Sequence, residues 1–87
     1  MFIQGDILAG ELDSQINEFS LQKVKHLETQ SVLNEKQLSN ILHYLKKHQH
    51  EEGGQIITLY DQMPVHLSQQ ELNSFISDLE SVLSKYN

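Results

Sequence analysis

Gln55-Ile56-Ile57-Thr58-Leu59-Tyr60 follows Gly53-Gly54 and runs into Asp61-Gln62-Met63-Pro64. Its β-branched and aromatic side chains read as a short strand, 55–60, entered through a glycine turn. Pro64 biases Met63 towards extended geometry and breaks the run. A strand cannot stand alone, because its amides and carbonyls need a ladder. Either residues 2–8 supply the partner strand, with Phe2-Ile3 and Ile7-Leu8 extended around Gly5, or a second chain does.

Both flanks of this segment read as helix. On the C-terminal side, Ser68-Gln69-Gln70-Glu71 is a capping box, in which the serine hydroxyl accepts from the third helical amide and the glutamate reaches back to the cap. Leu67 and Leu72 have the spacing of a hydrophobic staple. Leu72, Phe75, Ile76, Leu79, Val82, Leu83 and Tyr86 then recur in steps of three and four, within an arc of roughly 120°. The spacing predicts a helix over 69–86.

On the N-terminal side, Asn34 with Gln37 forms a second capping pair, and Leu38, Ile41, Leu42 and Leu45 form a stripe. Lys46, Lys47 and His48 suit the negative end of the helix dipole. This predicts a helix over 35–49. Further upstream, Leu12, Ile16, Phe19, Val24 and Leu27 fit one broad helical face, with Asp13 or Ser14 as a cap, and predict a third helix over 12–29. The resulting fold class is α+β, mostly α: three helices with one short strand or hairpin near 55–60, in a single domain over 1–87.

Composition bounds the function. The chain has 87 residues and no cysteine, which removes disulfides, thiolate zinc sites and cysteine nucleophiles. Twelve acids face six bases, a net charge of -6, and every base is a lysine. Without arginine the chain lacks the fork that clamps phosphate or reads guanine, and its acidity opposes a polyanion. Abundant Gln, Asn, Ile and Lys without Arg suit an AT-rich bacterial or phage gene. The N-terminus has no basic region leading into an apolar run, and no stretch approaches the roughly 20 apolar residues of a membrane span, so a cytoplasmic location is expected.

Chemistry-bearing clusters are sparse. His48-Gln49-His50-Glu51-Glu52 is the densest group of potential metal ligands, but alternating residues at a helix end do not share a face. His43 and His48 would stand roughly 140° apart on a helix. No serine lies in a Gly-x-Ser-x-Gly elbow, and Gly53-Gly54 is a turn rather than a phosphate loop. Catalytic residues, metal ligands and cofactors are therefore not assigned, and Tyr60, Asp61 and His66 read as loop chemistry rather than an acid–base group.

Two features point to a contact surface. Ser74, Ser77, Ser81 and Ser84 fall within an arc of roughly 80° opposite the apolar stripe of the last helix. Small side chains there would let another helix approach closely. Tyr44 sits at the edge of its helix's stripe, and aromatic residues are enriched at interfaces. By elimination the sequence points to a small non-enzymatic protein–protein interaction module, a regulator, inhibitor or adaptor acting through a helical face on an unidentified protein partner, with a homodimer through strand 55–60 as a further expectation. The alternative is a DNA-binding regulator of degenerate winged-helix type, from the order helix–helix–strand–helix with Lys46-Lys47 as its basic pair. A small metal-dependent enzyme is a third class.

With net charge -6, no arginine, and Glu51-Glu52 close behind Lys46-Lys47, duplex DNA should not bind at physiological salt. Fluorescence anisotropy titration checks this; sub-micromolar, sequence-selective binding would overturn it.

Overall fold

The computed structural model describes residues 1–59 and 64–86. Four strands, β1 (Phe2–Gln4), β2 (Leu8–Asp13), β3 (Glu18–Val24) and β4 (Leu27–Asn34), form an antiparallel meander in the order β1-β2-β3-β4. Helix α1 (Glu35–Lys47) follows directly. Strands β5 (Gln55–Thr58) and β6 (Pro64–Leu67) pair as a second, two-stranded sheet, and helix α2 (Gln69–Leu83) completes the order. The fold is α+β with more sheet than helix, which corrects the expectation of a mostly α chain with three helices.

The helix expected over 12–29 is instead the end of β2, all of β3 and the start of β4. Leu8, Gly10 and Leu12 point inward from β2, and Phe19 and Leu21 from β3. A register shift between Leu21 and Lys23 then moves the inward phase to Val24. Such a bulge inserts one unpaired residue and breaks strict alternation. On β4 the inward positions are Thr29, Ser31 and Leu33, so two of three are polar. The hydroxyls of Thr29 and Ser31 lie 3.3 Å apart and hydrogen-bond each other. The apolar residues left visible, Leu12, Ile16, Phe19, Val24 and Leu27, imitate a helical face, although Ile16 is 62% exposed between β2 and β3. The turns carry no glycine signal either: Asn17 and Lys25 take the left-handed positions, with φ of 52° and 59°.

The partner of 55–58 is neither of the two expected. Residues 64–67 supply it, with Gln55 opposite Leu67, Ile56 opposite His66, Ile57 opposite Val65 and Thr58 opposite Pro64. Tyr60 of the expected strand, and Asp61 to Met63 of the expected break, lie outside the described residues. Residues 2–4 pair with 9–11 of β2 instead.

Both capping boxes are formed. Asn34 Oδ1 accepts from the Gln37 amide at 2.8 Å, and the Asn34 amide donates to Gln37 Oε1 at 2.9 Å. Ser68 Oγ accepts from the Glu71 amide at 3.2 Å, and the Ser68 amide donates to Glu71 Oε1 at 2.9 Å. The helices end earlier than 49 and 86, at Lys47 and Leu83, with His48 and Ser84 as C-caps. Beyond α2, the Tyr86 hydroxyl donates to the Leu33 carbonyl at 3.0 Å. Burial, then the Glu35 and Glu18 carboxylates, push this phenol up to about 12, so it remains a donor. The stripe of α2 (Leu72, Phe75, Ile76, Leu79, Val82) joins side chains from α1 and both sheets in one buried cluster.

Asp78 lies on α2 but is 9% exposed. Its Oδ1 accepts from the Asp6 amide at 3.1 Å, and its Oδ2 from the amides of Ile7 at 2.7 Å and Leu8 at 3.2 Å. A Cβ at Gly5 would fall 2.2 Å from the Asp78 carboxyl carbon, so glycine is required for this approach. The carboxylate thus fastens the β1–β2 turn to α2. Asp78→Ala should cost roughly 2–4 kcal/mol, because it leaves three amides without their acceptor. Urea denaturation measures this; a cost below about 0.5 kcal/mol would mean that the turn holds without the clamp.

Candidate interaction surface

Helix α1 and strand β5 border a groove of about 370 Å³, lined by Asn40, Ile41, Tyr44 and residues 56–59. Two apolar side chains beside it face solvent: Ile56 is 64% exposed and Tyr44 45%. The alternation of β5 sends Ile57 inward, to 6% exposure, and so turns Ile56 out. Ile41, which also lines the groove, is partly buried against the core.

A polar relay fixes one end of the groove. The Tyr44 hydroxyl donates to Gln55 Oε1 at 3.3 Å, and Gln55 Nε2 donates to Glu51 Oε1 at 2.9 Å. Glu51 in turn pairs with His48 Nδ1. The hydrogen bond with His48 holds the Glu51 carboxyl below its ordinary value, with Gln55 contributing. The His48 ring packs against Tyr44 with centroids 4.6 Å apart. Tyr44 is therefore held by both its ring and its hydroxyl. A fixed aromatic loses little conformational entropy when a partner covers it.

Lysine 25 positions β6 and hence β5. From the β3–β4 turn its Nζ reaches the His66 carbonyl at 3.1 Å and Glu71 Oε1 at 3.1 Å. One cation therefore joins the meander, the small sheet and the start of α2.

No protein-family model, no curated protein and no solved structure matches the chain. The functional reading therefore rests on this geometry alone. Among the described residues no three His, Asp or Glu side chains gather as a metal-binding group. Among the described residues no helix is long and apolar enough to cross a membrane.

The sequence-predicted contact residues fall on two different surfaces. Tyr44 borders the groove. Ser77, Ser81 and Ser84 are exposed on α2 and Ser74 is half-buried. Asp78 stands roughly 40° from Ser74 around the helix, so the β1–β2 turn flanks that end of the strip. At the other end Ser84 Oγ donates to the Ser81 carbonyl at 2.6 Å and caps the helix. Ile56, which lines the groove, was not singled out from the sequence. Its only signal was its place beside inward-facing Ile57 in an uncharged strand, and which of the two faces outward depends on the register with β6. A larger depression of about 830 Å³ on the outer face of the meander is lined by the opposed charges Lys23 and Glu28 with Phe2 and Gln30, an ordinary solvated sheet face.

The Lys25–Glu71 clamp has a pH signature. The Ser68 backbone amide, and then Lys25, hold the Glu71 carboxyl below its ordinary 4.5. A depressed folded value means that stability is contributed above the ordinary value and lost as pH falls through the folded one. Glu71→Gln should thus lower the melting temperature at neutral pH and lose that difference in acid. Paired thermal melts across this range check it; an equal deficit at both ends would rule out the charge as the cause.

Proposed function

We propose that this chain is a non-enzymatic protein–protein interaction module, a regulator, inhibitor or adaptor, whose contact surface is α1 and the groove beside β5. The observation that carries this reading is an uncharged groove flanked by two exposed apolar side chains, one of them an aromatic held in place by ring and hydroxyl contacts. Exposed apolar groups arranged around a groove mark contact sites more often than isolated ones do. The serine strip supports the reading less, because one hydroxyl is spent on capping and one residue is half-buried.

No particular feature favours the DNA-binding alternative. The order helix–helix–strand–helix on which it rested is replaced by four strands, a helix, two strands and a helix. Lys46, half of its basic pair, is engaged with Glu80 at 2.7 Å.

The test is capture of partners from the native host by the wild-type chain, by Tyr44→Glu and by Ser77→Arg plus Ser81→Arg. Tyr44→Glu places a charge on a half-exposed position, so helicity should be kept while the captured protein is lost. The serine variant should retain it. If Tyr44→Glu keeps the partner and the serine variant loses it, the contact lies on α2 instead.

A further inference from the structure

Strand β5 pairs with β6 on one side only among the described residues. In an antiparallel pair, residues alternate between those that exchange hydrogen bonds with the partner strand and those whose amide and carbonyl point away. Pro64 stands opposite Thr58 and has no N–H to give. The reciprocal bonds therefore fall on the pairs Ile57–Val65 and Gln55–Leu67, and the His66 carbonyl is free to accept from Lys25 Nζ at 3.1 Å. By the same parity Ile56 and Thr58 turn their amides and carbonyls to the outer edge, where no described strand pairs with β5.

Strand edges are normally guarded by charge, proline, shortness or cover. The outer edge of β6 has Pro64 and the Lys25 contact. Strand β1 is three residues long, and β4 carries Glu28. Strand β5 reads Gln-Ile-Ile-Thr, four residues with neither charge nor proline.

We propose that β5 pairs antiparallel with β5 of a second copy of this chain, about a two-fold axis at Ile57, joining two two-stranded sheets into one of four strands. This rests on the reading of the α1–β5 surface as a contact face and names its partner. The register follows from parity: with Ile57 facing Ile57 at the axis, Ile56 stands opposite Thr58 of the other copy, and all the outward amides and carbonyls of Ile56 and Thr58 are satisfied reciprocally. The β-branched pairs so formed are favourable cross-strand neighbours.

Charge selects the same surface. Each copy carries -6, so two copies repel over most approaches. The residues lining the groove, from Asn40, Ile41 and Tyr44 to Ile56–Leu59, carry no charge.

The test uses the full chain in sedimentation equilibrium, with two sets of variants. The 10.1 kDa wild type should reach a dimer mass of about 20 kDa with rising concentration. Ile56→Lys should keep the wild-type circular dichroism spectrum and weaken the dimer at least about tenfold. Because the chain has no cysteine, oxidative cross-linking reads the register directly. Ile56→Cys mixed with Thr58→Cys should cross-link, since those positions face each other. Ile56→Cys alone should not, because its two copies are offset by two residues, about 8 Å, beyond disulfide reach. A monomer at all concentrations, a dimer indifferent to Ile56→Lys, or equal cross-linking by Ile56→Cys alone would overturn the proposal. A monomer that still captures a host protein through Tyr44 refutes only the self-pairing. A dimer dissolved by Ile56→Lys, with no host protein captured, supports self-pairing and refutes the hetero-partner reading.

Discussion

One carboxylate holds the two ends of this chain together. Asp78 sits on the last helix and receives three successive amides from the first turn, 70 to 72 residues away in sequence. Without that acceptor, the amide of buried Leu8 would face the core unpaired, and an unsatisfied buried donor costs more than a satisfied one returns. Glycine at position 5 exists to let the carboxylate in. Once α2 is seated there, its apolar stripe covers the inner side of the meander, and the position of everything that precedes α2 in the chain is constrained by its N-cap at Ser68.

That N-cap is the second fixed point. Glu71 serves both Ser68 and Lys25, and Lys25 also holds the His66 carbonyl. The small β5–β6 sheet is thus tied to a turn of the large one and to the start of α2. Two strands of four residues are marginal by themselves. Here they are supported from β6, while β5 is left as the outer strand beside α1. The same arrangement that secures β6 leaves the β5 edge and Tyr44 facing outward, and this surface carries the functional reading.

The charge distribution fits that division of labour. Ionic contacts such as Lys25–Glu71 and Lys46–Glu80 join elements to one another, whereas the groove beside β5 is uncharged. On a chain of net charge -6, the residues lining this groove carry no carboxylate.

What the sequence alone determined is local. The caps at Asn34 and Ser68 were legible because a capping box needs only four consecutive residues, and each helix begins where its cap predicts. The stripe of α2 was legible because one helical face is repeated over four turns. Of the candidate surface, Tyr44 was legible as an aromatic at a stripe edge. The meander was not legible, because strands are stabilised by residues distant in sequence. A bulge after Leu21 changed the inward phase, Thr29 and Ser31 replaced apolar residues on the inner side, and Asn17 and Lys25 turned the chain where glycine would have signalled it. The role of Asp78 and the outward turn of Ile56 were decided only by tertiary structure. A buried acid looks like a surface acid until its amide donors arrive, and a strand's exposed side is chosen by the partner it pairs with.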